Sequence, residues 1–299
     1  MFDSYNYNPF LIAQYIRAFG NEETAKLLAA NEKPLPRAIR INTLLTDVGS
    51  CVKRLEEKGF VFSKVKWCSE GYIVKKEPFS IGATPEHLLG YYFVQDPSSM
   101  VPAIELSPAE NETVLDMAAA PGGKTTHLAQ IMGNHGTIVA VDINKEKMRA
   151  LRSNIQRCGV ENVLTLRMKA NELTSLGIRF DKILLDAPCT GEGTIRKNPE
   201  RRKTIDEKEV DEYSAKQQEM LKIAGLVIKP GGILVYSTCS LLPQEDEQQV
   251  KYAVEKLGFE LLGLKNKFCA PGINLKQCGR FYPHIHDTQG FFIAKLKKT

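Results

Sequence analysis

Two cysteines occupy equivalent places in this chain. Cys189, in "LLDAPCTGEG" (184–193), and Cys239, in "YSTCSLLPQ" (236–244), each follow an apolar run that reads as a buried strand. Each is followed by small, polar or Pro/Gly residues that read as a loop. A thiol in a core is packing, whereas a thiolate at a loop is a nucleophile, and the loop residues around both cysteines favour the nucleophilic reading. The residues themselves leave open which thiol attacks. Lys124, beside a candidate cofactor loop, could lower a thiol pKa electrostatically or, as a lysine opening a helix, simply be solvated.

The remaining cysteines carry no such pattern. Seven in all are scattered without a C-x-x-C pair, and Cys51, Cys68 and Cys158 read as inert core residues. Cys269, Cys278, His284 and His286 lack zinc-finger spacing, so no metal is expected. With 43% hydrophobic and 25% charged residues the composition excludes a disordered or fibrous protein. No apolar run approaches the roughly 20 residues that span a bilayer, and the start lacks a signal-peptide pattern, so a cytoplasmic protein without membrane contact is expected. A net charge of +5 permits an RNA partner without demanding one.

The elements that must position the thiols are legible from residue 112 onward. "TVLDMAA", "GTIVAVDI", "NVLTLRM", "DKILLDA" and "GGILVYSTCS" are strand-like, alternate with helical segments, and are joined by "FELLGL" and "GFFIAKL" near the end; a helix is expected to open at Pro243. Near-continuous apolar strands separated by helices predict a mostly parallel, doubly wound α/β sheet. Residues 1–95 read as a separate small α+β module, with helical stretches near 8–18 and 22–31, and residues 96–299 as the main domain.

In such a sheet a ligand sits beyond the carboxyl ends of the strands. The loop "DMAAAPGGKTT" (116–126) has the small residues that let a ligand approach the backbone, but Ala118 stands where a P-loop needs glycine. Asp142, closing the second strand, is either an acceptor for ribose hydroxyls or a cap for the next helix; combined with the Gly-rich loop, the ribose reading leads. An adenosine cofactor without a phosphate cradle fits S-adenosylmethionine better than ATP or NAD.

"DMAAAPGGKTTHLAQ", "VDIN", "LLDAPCTGEGTIRKNPE" and "GGILVYSTCSLLPQEDE", with "RAIRINTL" upstream, resemble the NOL1/NOP2/Sun family of RNA cytosine-5 methyltransferases, in a compact form similar to archaeal tRNA-type members. The resemblance implies a Rossmann-like methyltransferase domain preceded by a small α+β RNA-binding domain. It implies S-adenosylmethionine bound by Ala118, Ala119, Ala120, Pro121, Gly122, Gly123 and Lys124, with Asp142 on the ribose and Asp186 at the methyl-donor side. It makes Cys239 the nucleophile and Cys189 the residue assisting product release, with Asp186 holding the proton that stabilises the adduct. Where many members carry an acidic adenine contact after the third strand, this chain has Lys169.

The partner implied is RNA, tRNA first and rRNA as the alternative, acted on by a monomer. A non-catalytic RNA-binding assembly factor is the non-enzymatic alternative, which the intact Cys189, Cys239 and Asp186 oppose. An amine methyltransferase would carry N-P-P-Y or D-P-P-Y in place of "DAPC". Arg196, Lys197, Arg201 and Arg202 in the loop "IRKNPERRK" form one candidate RNA-binding patch, and Arg37, Arg40 and Asn42 a second.

Overall fold

The computed structural model describes residues 2–299. The first hundred residues build a four-stranded antiparallel sheet from β1 (Ala38–Ile41), β2 (Val61–Lys64), β3 (Gly71–Lys76) and β4 (Tyr92–Val94), in the order β2-β3-β1-β4. A helical segment, Pro9–Asn31, precedes it and breaks at Gly20, whose φ of 79° no helix accommodates. That break is the one expected between residues 18 and 22.

The second sheet has nine strands: β5 (Thr113–Asp116), β6 (Thr137–Asp142), β7 (Val163–Arg167), β8 (Phe180–Asp186), β9 (Ile228–Thr238), β10 (Phe259–Leu262), β11 (Ala270–Pro271), β12 (Gly279–Phe281) and β13 (Phe291–Lys298). They run in the order β11-β12-β13-β9-β8-β5-β6-β7, with β10 beside β13. β5 to β9 are parallel, and β13 returns antiparallel against β9. The chain leaves β5 towards β7 and then crosses back to β8, so strand order reverses between β5 and β8. Ligand crevices form at that reversal. Apolar side chains cover both faces: Leu185, Tyr236 and Leu221 belong to one core, and Val114, Leu184 and Val235 to the other. This is the mostly parallel, doubly wound α/β sheet that the strand pattern predicts.

Two close contacts hold the strand ends in place. Asp116, at the end of β5, is buried and accepts the Thr125 hydroxyl at 2.7 Å, tying the strand to the helix Gly123–Ile131 across the intervening loop. Farther along, Gly193 donates its N–H to the Cys239 carbonyl at 3.1 Å, and Gly290 donates to the Gly193 carbonyl at 2.7 Å. A Cβ on Gly193 would lie 2.4 Å from the Gly290 oxygen and 2.7 Å from the Cys239 oxygen, both backbone atoms. Only glycine permits this approach.

Gly193→Ala should therefore destabilise the protein by about 1–3 kcal/mol, the usual cost of overpacking, read as a lowered midpoint in urea. A midpoint equal to wild type would show that the two loops separate freely. Asp116 makes a pH-dependent prediction. Burial, opposed by the Thr125 hydrogen bond, pushes its carboxyl up to about 7. The folded state thus binds this proton more tightly than the unfolded chain, so the contribution to stability is full below about pH 4 and is lost as pH rises through 7. Asp116→Asn, which cannot ionise, should flatten the stability profile across that window. Parallel profiles for the two proteins would contradict the assignment.

Candidate active site

The thiols meet. Cys189 lies just beyond β8 and Cys239 just beyond β9, and their sulfurs are 3.0 Å apart. Both are partly accessible, whereas Cys51, Cys68, Cys158 and Cys278 are buried. The hydrogen bond it shares with Cys239, followed by burial, holds the Cys189 thiol well above the ordinary range. Asp186, the last residue of β8, stands beside them. Its Oδ2 accepts Lys124 Nζ at 2.6 Å and its Oδ1 accepts the Ser237 hydroxyl at 2.7 Å. Lys124 is therefore neither a solvated helix-opening lysine nor an ammonium aimed at a thiol. Its charge is spent on the carboxylate.

A cavity of about 570 Å³ is lined by Lys124 and Asp186 of this group but by neither thiol. Arg37 and Phe93 of the N-terminal module line it, together with Ala118, Lys124, Asp186 and Lys197. That volume is in the range of small-ligand sites. The loop Ala118, Ala119, Ala120, Pro121 and Gly123 contributes to the same wall. Gly122 adopts a φ of 104°, and a Cβ there would press to 2.9 Å from Leu151. Asp142, at the end of β6, accepts the Ala120 N–H at 3.3 Å and the Asn144 N–H at 2.9 Å. The cap of the helix Lys145–Arg157 is Asn144, whose side chain accepts the Lys147 N–H, so Asp142 is not the helix cap that the sequence allowed.

Several candidate RNA contacts require correction. Arg40 is 1% exposed and donates to Gln130 at 3.3 Å, the Gly123 carbonyl at 2.7 Å and Thr126 at 2.9 Å, as well as to Gln95. It braces the cofactor-side loop from beneath. Asn42, equally buried, donates to the carbonyls of Gly90 and Cys158. Arg196 spends its guanidinium on the carbonyls of Lys33, Pro34 and Thr288 and on Asp287. Arg201 grips the Thr190 carbonyl and Glu209, and Arg202 the Tyr5 carbonyl and Glu32. Arg40, Asn42 and Arg196 are struts with their partners inside the protein, whereas Arg201 and Arg202 are partly exposed beside surface carboxylates. Lys197 is exposed, and Arg37, paired with Glu77 at 2.6 Å, is half-exposed at the cavity wall.

Two side chains at the site, Ser237 and Glu245, escape a reading of the sequence. Ser237, inside the quoted "YSTCS", orients Asp186. Glu245, in "PQEDE", ties down both cysteine loops. Near the end of β7, Lys169 is exposed and the nearby carboxylate is Glu172, which accepts the Lys169 N–H at 2.6 Å. Glu192 after Cys189 and the acidic run "EDE" (245–247) after Cys239 were the available signal for such buried acceptors.

Comparison with known proteins agrees with this geometry. A model of the N-terminal domain of 16S rRNA methyltransferase RsmF matches residues 9–97. The mouse 28S rRNA (cytosine-C(5))-methyltransferase is 38% identical over 98% of this chain, which spans 39% of that protein's length. Ribosomal RNA small subunit methyltransferase F of Aliivibrio salmonicida is 38% identical over 91% of this chain and 60% of its own length. A methyltransferase homolog from Pyrococcus horikoshii superposes with a TM-score of 0.91 at 43% identity, covering 100% of this chain and 97% of the other. The structure of NSun6 from the same organism with SFG gives 0.92 at 30% identity, with 98% of both chains covered. With a model described as 16S rRNA methyltransferase RsmB/F matching residues 103–297, the stretch that carries both thiols and the whole parallel sheet, the chain belongs to the RsmB/F methyltransferase family.

Proposed function

We propose that the chain methylates carbon 5 of cytosine in RNA, with Cys239 as the attacking thiol. The observation that carries this reading is the meeting of two thiols at 3.0 Å beside an ion-paired carboxylate, at the strand ends of a methyltransferase sheet. Carbon 5 of cytosine is a poor nucleophile. A thiolate adding to carbon 6 pushes electron density into the ring and splits one difficult step into two easier ones. S-adenosylmethionine, when bound, supplies an electrophilic methyl group carried on a sulfonium.

The residues fit that cofactor. The loop Ala118–Lys124 offers small side chains and helix-opening N–H groups without a phosphate cradle. Asp142 gives one lone pair from each oxygen to backbone N–H groups and retains others for ribose hydroxyls. Asp186 is used likewise: Lys124 and Ser237 take one site on each oxygen, leaving the carboxylate able to hold a proton at ring N3. The family resemblance supports Cys239 as the nucleophile and Cys189, whose sulfur touches it, as the proton-transfer partner at the sulfur that must later depart.

Arg37 and Lys197, at the cavity mouth, are the phosphate contacts in this reading. The relatives are named as rRNA methyltransferases, which supports rRNA as the substrate over the tRNA expected from the sequence. A non-catalytic assembly factor has no use for two thiols held in contact. Bisulfite sequencing of the rRNA and tRNA pools, with and without the gene, identifies the substrate. Loss of protected cytosines in neither pool would overturn the reading.

The two thiols should behave differently on a denaturing gel after incubation with RNA and S-adenosylmethionine. Cys239→Ala should form no covalent complex and no product. Cys189→Ala should attack but release slowly, accumulating a denaturation-resistant protein–RNA complex, and the double variant should trap nothing. Trapping by Cys239→Ala in place of Cys189→Ala would reverse the roles.

A further inference from the structure

Glu245 is fully buried, and both of its carboxylate oxygens are committed to the cysteine loops. Oε2 accepts the Thr190 N–H and a Gln217 amide hydrogen, each at 2.9 Å. Oε1 accepts the Thr190 hydroxyl at 2.6 Å and the Ser240 hydroxyl at 2.9 Å. Thr190 follows Cys189 and Ser240 follows Cys239, so one carboxylate grips the residue after each thiol.

The residues before the thiols are held by neighbours of the same group. Gln217 also donates to the Pro188 carbonyl at 2.9 Å, and Thr238 donates to Asp246 Oδ1 at 2.6 Å. The Ser240 hydroxyl, besides donating to Glu245, accepts the Leu242 N–H at 3.1 Å. Four donors fill the lone-pair sites of an ionised carboxylate and leave no room for a proton. Burial holds the Glu245 carboxyl above its ordinary value, opposed by its hydrogen bonds from Thr190, Ser240 and Gln217. A charge buried at this cost is retained only where its hydrogen bonds are complete.

The geometry points to Glu245 as a positioning residue that fixes the Cys189 and Cys239 loops against each other, through Thr190 and Ser240, so that both thiols face one substrate ring. The catalytic consequence rests on the function proposed above; the geometric consequence does not. Glu245→Gln replaces an oxygen by an NH₂ group that must confront N–H or O–H donors, so at least one loop loses its anchor.

Diamide provides a readout independent of methylation. Its N=N bond takes the hydrogens of two thiols and is reduced to a hydrazine, while the sulfurs join as a disulfide. In wild type, with the sulfurs in contact, Cys189–Cys239 closure should be fast. In Glu245→Gln it should slow about tenfold or more, since small misplacements of reacting groups carry large rate penalties. Alkylation of single thiols by iodoacetamide should not slow. The turnover number on RNA should fall with KM for RNA and affinity for S-adenosylmethionine unchanged. If Glu245→Gln does not fold, Ser240→Ala, which leaves the carboxylate and removes one donor, should show the same effects more weakly. A folded variant that closes the disulfide and turns over at wild-type rates overturns the proposal. Slowed closure in a protein whose wild type is inert on RNA would support the positioning role and sink the functional reading instead.

Discussion

The site depends on the register between two parallel strands. β8 and β9 pair with Asp186 opposite Ser237, and both strands release the chain at the same end of the sheet. Cys189 comes three residues after Asp186 and Cys239 two residues after Ser237, so the pairing delivers the thiols to one place. The same register lets the Ser237 hydroxyl reach Asp186. β5 flanks β8 on the other side, and the helix that follows it brings Lys124 to the free carboxylate oxygen. Three neighbouring strands thus supply thiol, thiol with carboxylate, and ammonium. A slip of one residue between β8 and β9 would turn Ser237 to the face opposite Asp186 and break that contact.

Strand pairing ends before the thiols, and irregular loops do not hold themselves. The chain holds them with buried polar groups. Glu245 and Asp246 take the residues flanking Cys239, while Arg280 donates to Glu247 and to the Leu241 carbonyl. Glu192, also buried, accepts the Leu241 N–H, and burial pushes its carboxyl up to about 8. Isolated, each group would cost several kcal/mol to bury; paired, they define a single geometry. The N-terminal module is tied in by the same means, with Arg40, Arg196 and Arg202 reaching across to carbonyls and side chains of the other region. Both modules therefore contribute walls to one cavity.

What the sequence made legible follows from what periodicity and residue type encode. Long apolar runs ending in small residues identified β5, β6, β8 and β9 and placed the thiols at their ends, because a buried parallel strand has few other compositions. The fate of individual arginines was not legible. A guanidinium reads as a surface charge until its partners are known, and for Arg40 and Arg196 those partners are carbonyls distant in sequence. The helix expected at Pro243 begins instead at Glu247, because residues 243–246 form turns from which Glu245 and Asp246 reach back to the cysteine loops. That Asp142 does not cap the next helix was not legible either, because Asn144 two residues later takes that place.

The most direct test of the central claim maps the covalent bond itself. Wild-type protein incubated with S-adenosylmethionine and RNA containing 5-fluorocytidine, which blocks release, should form a stable adduct that can be digested and sequenced by mass spectrometry. The account predicts the nucleotide on the peptide containing Cys239. A nucleotide on the Cys189 peptide, or no nucleotide-bearing peptide from a protein that methylates RNA, would contradict it.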